Sequence, residues 1–169
     1  KLRLISNQDS VGSFGIKQAI LPIMVLTSLA SKISGKNIKW VEDRIEHLTA
    51  ASSATNRVTN IKAAVKKNGK ILALNYDQID DVGAYLRAPE PASLYRMHGN
   101  LAGAYLIDNI FCRNRVVVTN KTPTGLNRGF GGPQHYYALE RLVHNIATEL
   151  NLDRLKVIKL NLVNDKDFP

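Results

Sequence analysis

The chain has 169 residues, 44% of them apolar, and a formal net charge of +9. That length and composition fit one globular domain or a substantial piece of a larger one. The Lys and Arg residues are scattered and not interleaved with aromatic residues, which indicates a solvated surface rather than a nucleic-acid interface. No apolar run is long enough to cross a bilayer, and one cysteine excludes an intrachain disulfide framework. We expect a single domain over residues 1–169, located in the cytoplasm, with neither nucleic acid nor membrane as a partner.

The first third of the chain predicts two strands with a helix between them. Residues 1–6 and the alternating stretch NIKWVED at 37–43 are typical of strands, with Trp40 facing the core. The helix is predicted from about Lys17 to Ile33 and ends before the residues SGKN. Its apolar composition indicates that the helix is buried.

The middle of the chain contains the clearest local pattern, a β-hairpin around Asn68-Gly69. Two runs of strand-forming residues flank this pair, and both of its residues tolerate the positive φ of a tight turn. Residues 82–93 contain two prolines and predict a loop, followed by a helix over 94–105. A further strand is predicted over 109–120.

Two helices are predicted at the end of the chain. The first runs from Pro133 to about Leu150, and the second starts at Asp153, which is a suitable N-cap. Strands and helices are thus mixed, and a hairpin precedes the last helices. The pattern predicts the α+β class, with a mixed sheet that includes a β-hairpin and packs against helices.

Two loops combine glycine with phenylalanine just before a predicted helix. They are VGSFGIKQ at 11–18 and NRGFGGPQ at 127–134. Free amides and the helix dipole at such an N-terminus favour negative charge, so the two loops could clasp one anionic cofactor. Neither loop carries a complete dinucleotide fingerprint or a Walker lysine-hydroxyl pair. Taken alone, each loop is more often a packing turn than a ligand site.

Several segments resemble the molybdopterin-binding subunit of the molybdenum hydroxylases, the family of xanthine dehydrogenase, aldehyde oxidase and the carbon monoxide dehydrogenase large chain. In order along the chain, the matching segments are LRLISNQDSVGSFGIKQ, WVEDRIEHL, DDVGAYL, TNKTPTGLNRGFGGPQHYYALERL and LNLVNDKDFP. They span essentially the whole chain, and the Arg-Gly-Phe-Gly-Gly-Pro loop is specific. The resemblance implies one layer of a larger molybdopterin-binding subunit, of which this chain is a fragment or a split-gene part.

The resemblance also implies which residues bind ligands. The residues expected to hold the pterin are Gly12, Ser13, Phe14 and Gly15 in the first loop and Arg128, Gly129, Phe130 and Gly131 in the second. Substrate contacts are expected from Gln18, Arg96 and the ring of Phe130. The pterin's dithiolene sulfurs hold molybdenum in this family, so no protein metal ligand is expected.

The implied activity is the oxidation of an aldehyde or heteroaromatic carbon with oxygen from water. Gln18 stands where purine-oxidising members have glutamate, which favours an aldehyde. Gly129 stands where carbon-monoxide-oxidising members have cysteine, which disfavours that activity. The family's general-base glutamate lies outside the region matched, so no catalytic residue is nominated.

The implied cofactor is molybdopterin with molybdenum, with the cytosine dinucleotide as one candidate form. The implied partners are the remaining part of the molybdopterin subunit, subunits or domains that carry iron-sulfur clusters and FAD, and a small-molecule substrate. Two alternatives stay open: a non-catalytic remnant that keeps the fold without cofactor, and a basic nucleic-acid-binding domain that rests on charge alone.

The remaining polar residues have structural interpretations. Glu42, Asp43 and Glu46 lie at a predicted helix start and are interpreted as capping or ion-pairing groups. His135 follows the second glycine loop and is interpreted as a surface residue.

Overall fold

A computed structural model of the chain describes residues 3–6, 8–9, 12–15 and 22–167. The elements are helices α1 (Pro22–Ser34) and α2 (Arg44–Ala50), strands β1 (Asn56–Val65) and β2 (Ile71–Asp81), helix α3 (Ala92–Tyr95), a 3-10 helix (Arg96–Asn100), strand β3 (Asn109–Val117), helices α4 (Gly132–Glu149) and α5 (Arg154–Asn161), and a 3-10 turn (Asp165–Asp167). Among these described helices, none has both the length and the apolar character that a bilayer span requires.

The three strands form one mixed sheet in the order β1-β2-β3. The hairpin of β1 and β2 is antiparallel, whereas β3 lies parallel to β2. At the hairpin turn Gly69 has a φ of +89° and its amide donates to the Lys66 carbonyl at 2.8 Å. The predicted α+β class, the mixed sheet and the hairpin are confirmed.

One face of the sheet packs against the two C-terminal helices. Leu139 and Val143 of α4 are fully buried together with Leu74 and Tyr76 of β2 and Val157 of α5. Apolar burial of this kind contributes about 1.5–3 kcal/mol per large side chain. This core fixes the N-terminus of α4 relative to the sheet.

A buried amide joins α5 to the hairpin turn. The side-chain oxygen of Asn161 accepts from the Ile71 amide at 2.8 Å, and its nitrogen donates to the Gly69 carbonyl at 2.9 Å. Asp153 caps α5 as predicted, because its carboxylate accepts from the Lys156 amide at 2.9 Å.

The N-terminal third differs from the sequence prediction. Residues 3–6 and 37–43 form no strand, and Trp40 is 40% exposed rather than in the core. An alternating pattern specifies a strand only where another strand offers hydrogen-bonding partners, and the described sheet ends at β1 and β3. The buried character predicted for the first helix is also wrong, since no residue of α1 is buried.

The charged residues near α2 have the structural roles predicted for them. Asp43 and Glu46 form a reciprocal capping box at the start of α2. Glu42 lies 2.8 Å from the His47 ring nitrogen as an ion-pair partner. The predicted helix over 94–105 is wrong in its extent, because α3 and the 3-10 helix end at Asn100.

Candidate functional site

The second glycine loop adopts a left-handed backbone at three successive residues. Gly129, Phe130 and Gly131 have φ values of +94°, +44° and +85°. Two tight turns produce this path, with the Phe130 amide donating to the Asn127 carbonyl and the Gly132 amide to the Gly129 carbonyl, each at 2.8 Å. For a residue with a Cβ such as Phe130, this conformation costs about 1–2 kcal/mol. Strain of this kind is concentrated at binding sites.

Two backbone amides of this loop are open, meaning that they donate to no acceptor among the described residues. The amides of Phe130 and Arg128 are used within the loop, the latter donating to the Asn127 side chain at 2.8 Å. Those of Gly129 and Gly131 donate to no acceptor in the described part of the chain. Gly131 is the N-cap of α4, an 18-residue helix whose dipole places positive potential at this end. The loop therefore offers hydrogen-bond donors to an electronegative ligand.

Neighbouring atoms leave no room for side chains at these two glycines. A Cβ on Gly131 would lie 1.8 Å from the Ser93 carbonyl oxygen, and one on Gly129 would lie 2.6 Å from the Pro133 ring. The absence of a side chain at glycine also lets a ligand approach the backbone closely.

The first glycine loop lies against the second. A Cβ on Gly15 would lie 1.9 Å from Cδ2 of Leu126, which immediately precedes the second loop. The Arg128 guanidinium carbon lies 4.9 Å from the centre of the Phe14 ring, which is within the range of a cation–π contact. Phe14, like Phe130, has a positive φ, at +57°. The structure thus brings the two loops of the sequence prediction together.

The predicted substrate residues are only partly described. The Arg96 guanidinium carbon lies 5.3 Å from the centre of the Phe130 ring, so these two residues are neighbours. Gln18 lies outside the described residues.

A small pocket of about 160 Å³ opens beside the second loop, and Thr55, Ser93, Phe130, Gly131 and Gln134 contribute to its lining. The Gln134 side chain donates to the Thr55 carbonyl at 3.1 Å. Its oxygen is buried and has no partner among the described residues.

His135 is a buried residue, so its interpretation as a surface residue is wrong. Its ring is fully buried, with ring centroids 5.4 Å from those of Tyr76 and Tyr136. Neither ring nitrogen reaches hydrogen-bonding geometry with a described residue. Burial lowers the pKa of His135, against a smaller opposing effect of the Asn100 and Leu101 backbone. His135 is therefore a neutral packing residue in the first turn of α4.

Asp81 anchors the segment that leads into the second loop. Its carboxylate accepts from the Gly83 amide at 2.9 Å and from the Thr119 hydroxyl at 2.8 Å, and it pairs with Lys121 at 2.8 Å. These contacts, the hydrogen bond from Lys121 first, lower the pKa of Asp81 to about 2. The segments DDVGAYL and TNKT are thereby held side by side.

One element of the site was missed from the sequence, the buried ion pair between Arg57 and Asp80. Nε of Arg57 lies 2.6 Å from one carboxylate oxygen, and Nη2 lies 2.8 Å from the other. The register of a hairpin centred on Asn68-Gly69 places these two residues opposite each other, so this signal was present in the sequence.

Residues 1–162 match the family model described as the molybdopterin cofactor-binding domain. The chain belongs to this family. The γ subunit of the 6-hydroxypseudooxynicotine dehydrogenase complex of Paenarthrobacter nicotinovorans is 33% identical, over 94% of this chain and 20% of the relative. The carbon monoxide dehydrogenase large chain of Hydrogenophaga pseudoflava is 32% identical, over 100% of this chain and 21% of the relative.

The solved structures agree with this assignment. Quinoline 2-oxidoreductase from Pseudomonas putida 86 superposes with a TM-score of 0.85 at 31% identity, over 94% of this chain and 20% of that one. The resemblance to molybdenum hydroxylases is confirmed, as is the fold class. This molybdopterin cofactor-binding domain spans about a fifth of the length of these relatives.

Proposed function

We propose that the two glycine-phenylalanine loops form one side of the molybdopterin site in a molybdenum hydroxylase. The observation that carries this proposal is the pair of open amides at Gly129 and Gly131, located at the positive end of α4 and next to Phe14 and Arg128. The pterin cofactor is flat, rich in acceptors and bears a phosphate, and such groups suit open amides at a helix N-terminus. The residues present therefore fit the cofactor.

The residues proposed to hold the cofactor are Gly12, Ser13, Phe14, Gly15, Arg128, Gly129, Phe130 and Gly131. Within the second loop, the donors are the amides of Gly129 and Gly131, because the Phe130 amide is already used. When bound, a molybdenum pterin supplies the transfer of oxygen and the uptake of two electrons. No protein ligand to the metal is proposed.

Arg96 and Phe130 are proposed to orient the substrate, together with Gln18. The Phe130 ring offers a flat apolar surface, and the neighbouring Arg96 offers hydrogen-bond donors to a carbonyl or ring nitrogen. This arrangement suits an aldehyde or a heteroaromatic ring. Relatives named for nicotine and nicotinate support the heteroaromatic class. Oxidation of carbon monoxide stays disfavoured, because Gly129 has no thiol.

The chain is proposed to act as one domain, residues 1–169, within a larger assembly. The remaining part of the molybdopterin subunit would supply the general base and complete the cofactor site, with molybdopterin cytosine dinucleotide as one candidate form. Iron-sulfur and FAD components would carry the electrons away. Relatives named as dehydrogenase subunits support such an assembly. We propose that it works in the cytoplasm.

The test is the cofactor content of the assembled protein, measured as molybdenum by metal analysis and as pterin by fluorescence. Gly129→Val should empty the site, because a branched side chain would collide with the Pro133 ring. Gly99→Val is the matched control, since a Cβ at Gly99 meets no atom within 4 Å. Normal loading of Gly129→Val would refute the proposal. A wild-type assembly without molybdenum or pterin would favour a non-catalytic remnant.

A further inference from the structure

The ion pair of Arg57 and Asp80 is buried beneath the second glycine loop. Both side chains are only 1% exposed, and the fork of the guanidinium meets both oxygens of the carboxylate. Burying two charges is costly, and apolar pairs of similar volume often stabilise a fold equally well. Fold stability alone is thus a weak explanation for this pair, whereas its fixed two-bond geometry is well suited to holding a third group in place.

That third group is the carbonyl of Ser93. Nη2 of Arg57 donates to the Ser93 oxygen at 3.0 Å. The amide and the hydroxyl of Ser93 both donate to the carboxylate of Glu90, which is itself buried. Ser93 is therefore held on both sides, by Glu90 at its amide and by Arg57 at its carbonyl.

The Ser93 carbonyl in turn supports the glycine loop. It lies so close to Gly131 that a Cβ there would be 1.8 Å from the oxygen. Gly131 carries one of the two open amides, and Phe130 precedes it. Without Arg57, the Ser93 carbonyl would lose the hydrogen-bond donor that holds it in position. A shift of that carbonyl would then allow Gly131 to move as well.

A second tie lies next to the first. Gln134, in the first turn of α4, donates to the carbonyl of Thr55, two residues before Arg57. The start of β1 thus contacts the loop directly through Gln134 and indirectly through Ser93. Neither Arg57 nor Asp80 needs to touch the ligand in order to affect its binding.

We propose that Arg57, clamped by Asp80, is a positioning residue that sets the loop Gly129–Gly131 for cofactor retention by holding the Ser93 carbonyl. This inference rests on the proposed function of that loop. It assigns the paired charges a role in the site, in addition to any role in folding.

The test compares Arg57→Lys with the wild type in the assembled protein. Lysine keeps the charge, but its single ammonium group lacks the fork that meets Asp80 and Ser93 together. We expect the pterin to dissociate about tenfold faster, the factor that corresponds to one lost hydrogen bond to a charged group. In protein stripped of cofactor, trypsin should also cleave Arg57→Lys after Arg128 faster than it cleaves the wild type. This readout does not depend on activity.

Two controls separate positioning from a general loss of stability. Arg115→Lys makes the same change in an ion pair with Asp77 on the opposite, exposed face of the sheet. Asn161→Ala removes buried hydrogen bonds at the distant hairpin turn. Both should keep the wild-type rate of pterin release and of cleavage at Arg128, even where Asn161→Ala lowers the melting temperature.

The inference is overturned if Arg57→Lys releases pterin at the wild-type rate, or if Asn161→Ala accelerates release equally. If Arg57→Lys does not fold, Asp80→Asn replaces it, since it retains the shape of the carboxylate and weakens its hold on Arg57. Normal loading of Gly129→Val would instead refute the proposed function itself. Loss of cofactor in Gly129→Val with normal retention in Arg57→Lys would refute the positioning role alone.

Discussion

Replacing Gly131 with alanine tests the geometry of the loop most directly. The left-handed φ of +85° costs an alanine about 1–2 kcal/mol. Its Cβ would start 1.8 Å from the Ser93 oxygen, and the separation must grow to at least 3.4 Å for an ordinary contact. That shift breaks the hydrogen bond from Arg57, which is worth about 1.5–3 kcal/mol. The total expected is about 2.5–5 kcal/mol of local destabilisation.

Hydrogen exchange in the assembled protein measures this quantity locally. The His135 amide donates to the Gly131 carbonyl at 3.2 Å, so its exchange reports opening of the first turn of α4. Its exchange should become roughly 70-fold to 5,000-fold faster in Gly131→Ala. Gly99→Ala is the control, because Gly99 has neither a close neighbour nor a positive φ. An exchange rate within about fivefold of the wild-type rate, which corresponds to a change of roughly 1 kcal/mol in the free energy of opening, would refute the reasoning.

Three further predictions concern acid stability and the aromatic ring of the loop. The pKa of Asp81, lowered from 3.8 to about 2, means that its stabilising contribution is complete above pH 3.8 and is lost as the pH falls towards 2. In Asp81→Asn, the free energy of unfolding measured from pH 5 to pH 2 should lack the decrease that protonation of Asp81 causes in the wild type. The lowered pKa of His135 predicts stability that is present above about pH 6.5 and lost below it. His135→Gln should flatten that profile in thermal melts, and a profile equal to that of the wild type would count against a neutral buried ring. Phe130→Ala should retain the cofactor and raise KM for a flat substrate about tenfold, as expected for a lost aromatic contact. Loss of molybdenum in this variant would contradict the role given to the ring.

The sequence predicted best the elements that local chemistry specifies. Asn68-Gly69 defines a tight turn, and the pairing from Asn56 to Ala64 follows the pleat, with a register shift between Ala64 and Val65 next to the turn. Asp153 as N-cap and the helix predicted from Pro133 to about Leu150 likewise depend only on neighbouring residues. The parallel pairing of β3 with β2 is a long-range contact, and the prediction reached only the mixed character of the sheet.

The candidate site was predicted as two loops, but not as a supported structure. Glycine patterns indicate where a backbone can bend sharply, and both loops do adopt left-handed residues. The pattern assigned that freedom to glycine, whereas Phe14 and Phe130 share it at a cost in strain. Which amides are open also depends on turns around Asn127, and these appear only in three dimensions.

The support beneath the loop was missed because it joins distant parts of the chain. Arg57, Asp80 and Ser93 belong to β1, β2 and α3, and nothing near any of them in the sequence indicates a shared purpose. The hairpin register alone could have paired Arg57 with Asp80. The contact of Ser93 with Gly131 could not have been predicted, because it depends on how α3 lies against α4.

The error on α1 has a different physical origin. Its large apolar residues, among them Val25, Leu26, Leu29 and Ile33, are 48–77% exposed, and Ile45 and Leu48 of α2 are about 75% exposed. An apolar run predicts that a helix is covered, but it does not indicate whether the covering surface belongs to the same segment of chain. Exposed apolar surface often marks a contact with another chain or domain. This surface supports the larger assembly proposed above, since the domain spans about a fifth of its relatives' length. The sheet and α4 contain their own core and were therefore predictable from this chain alone.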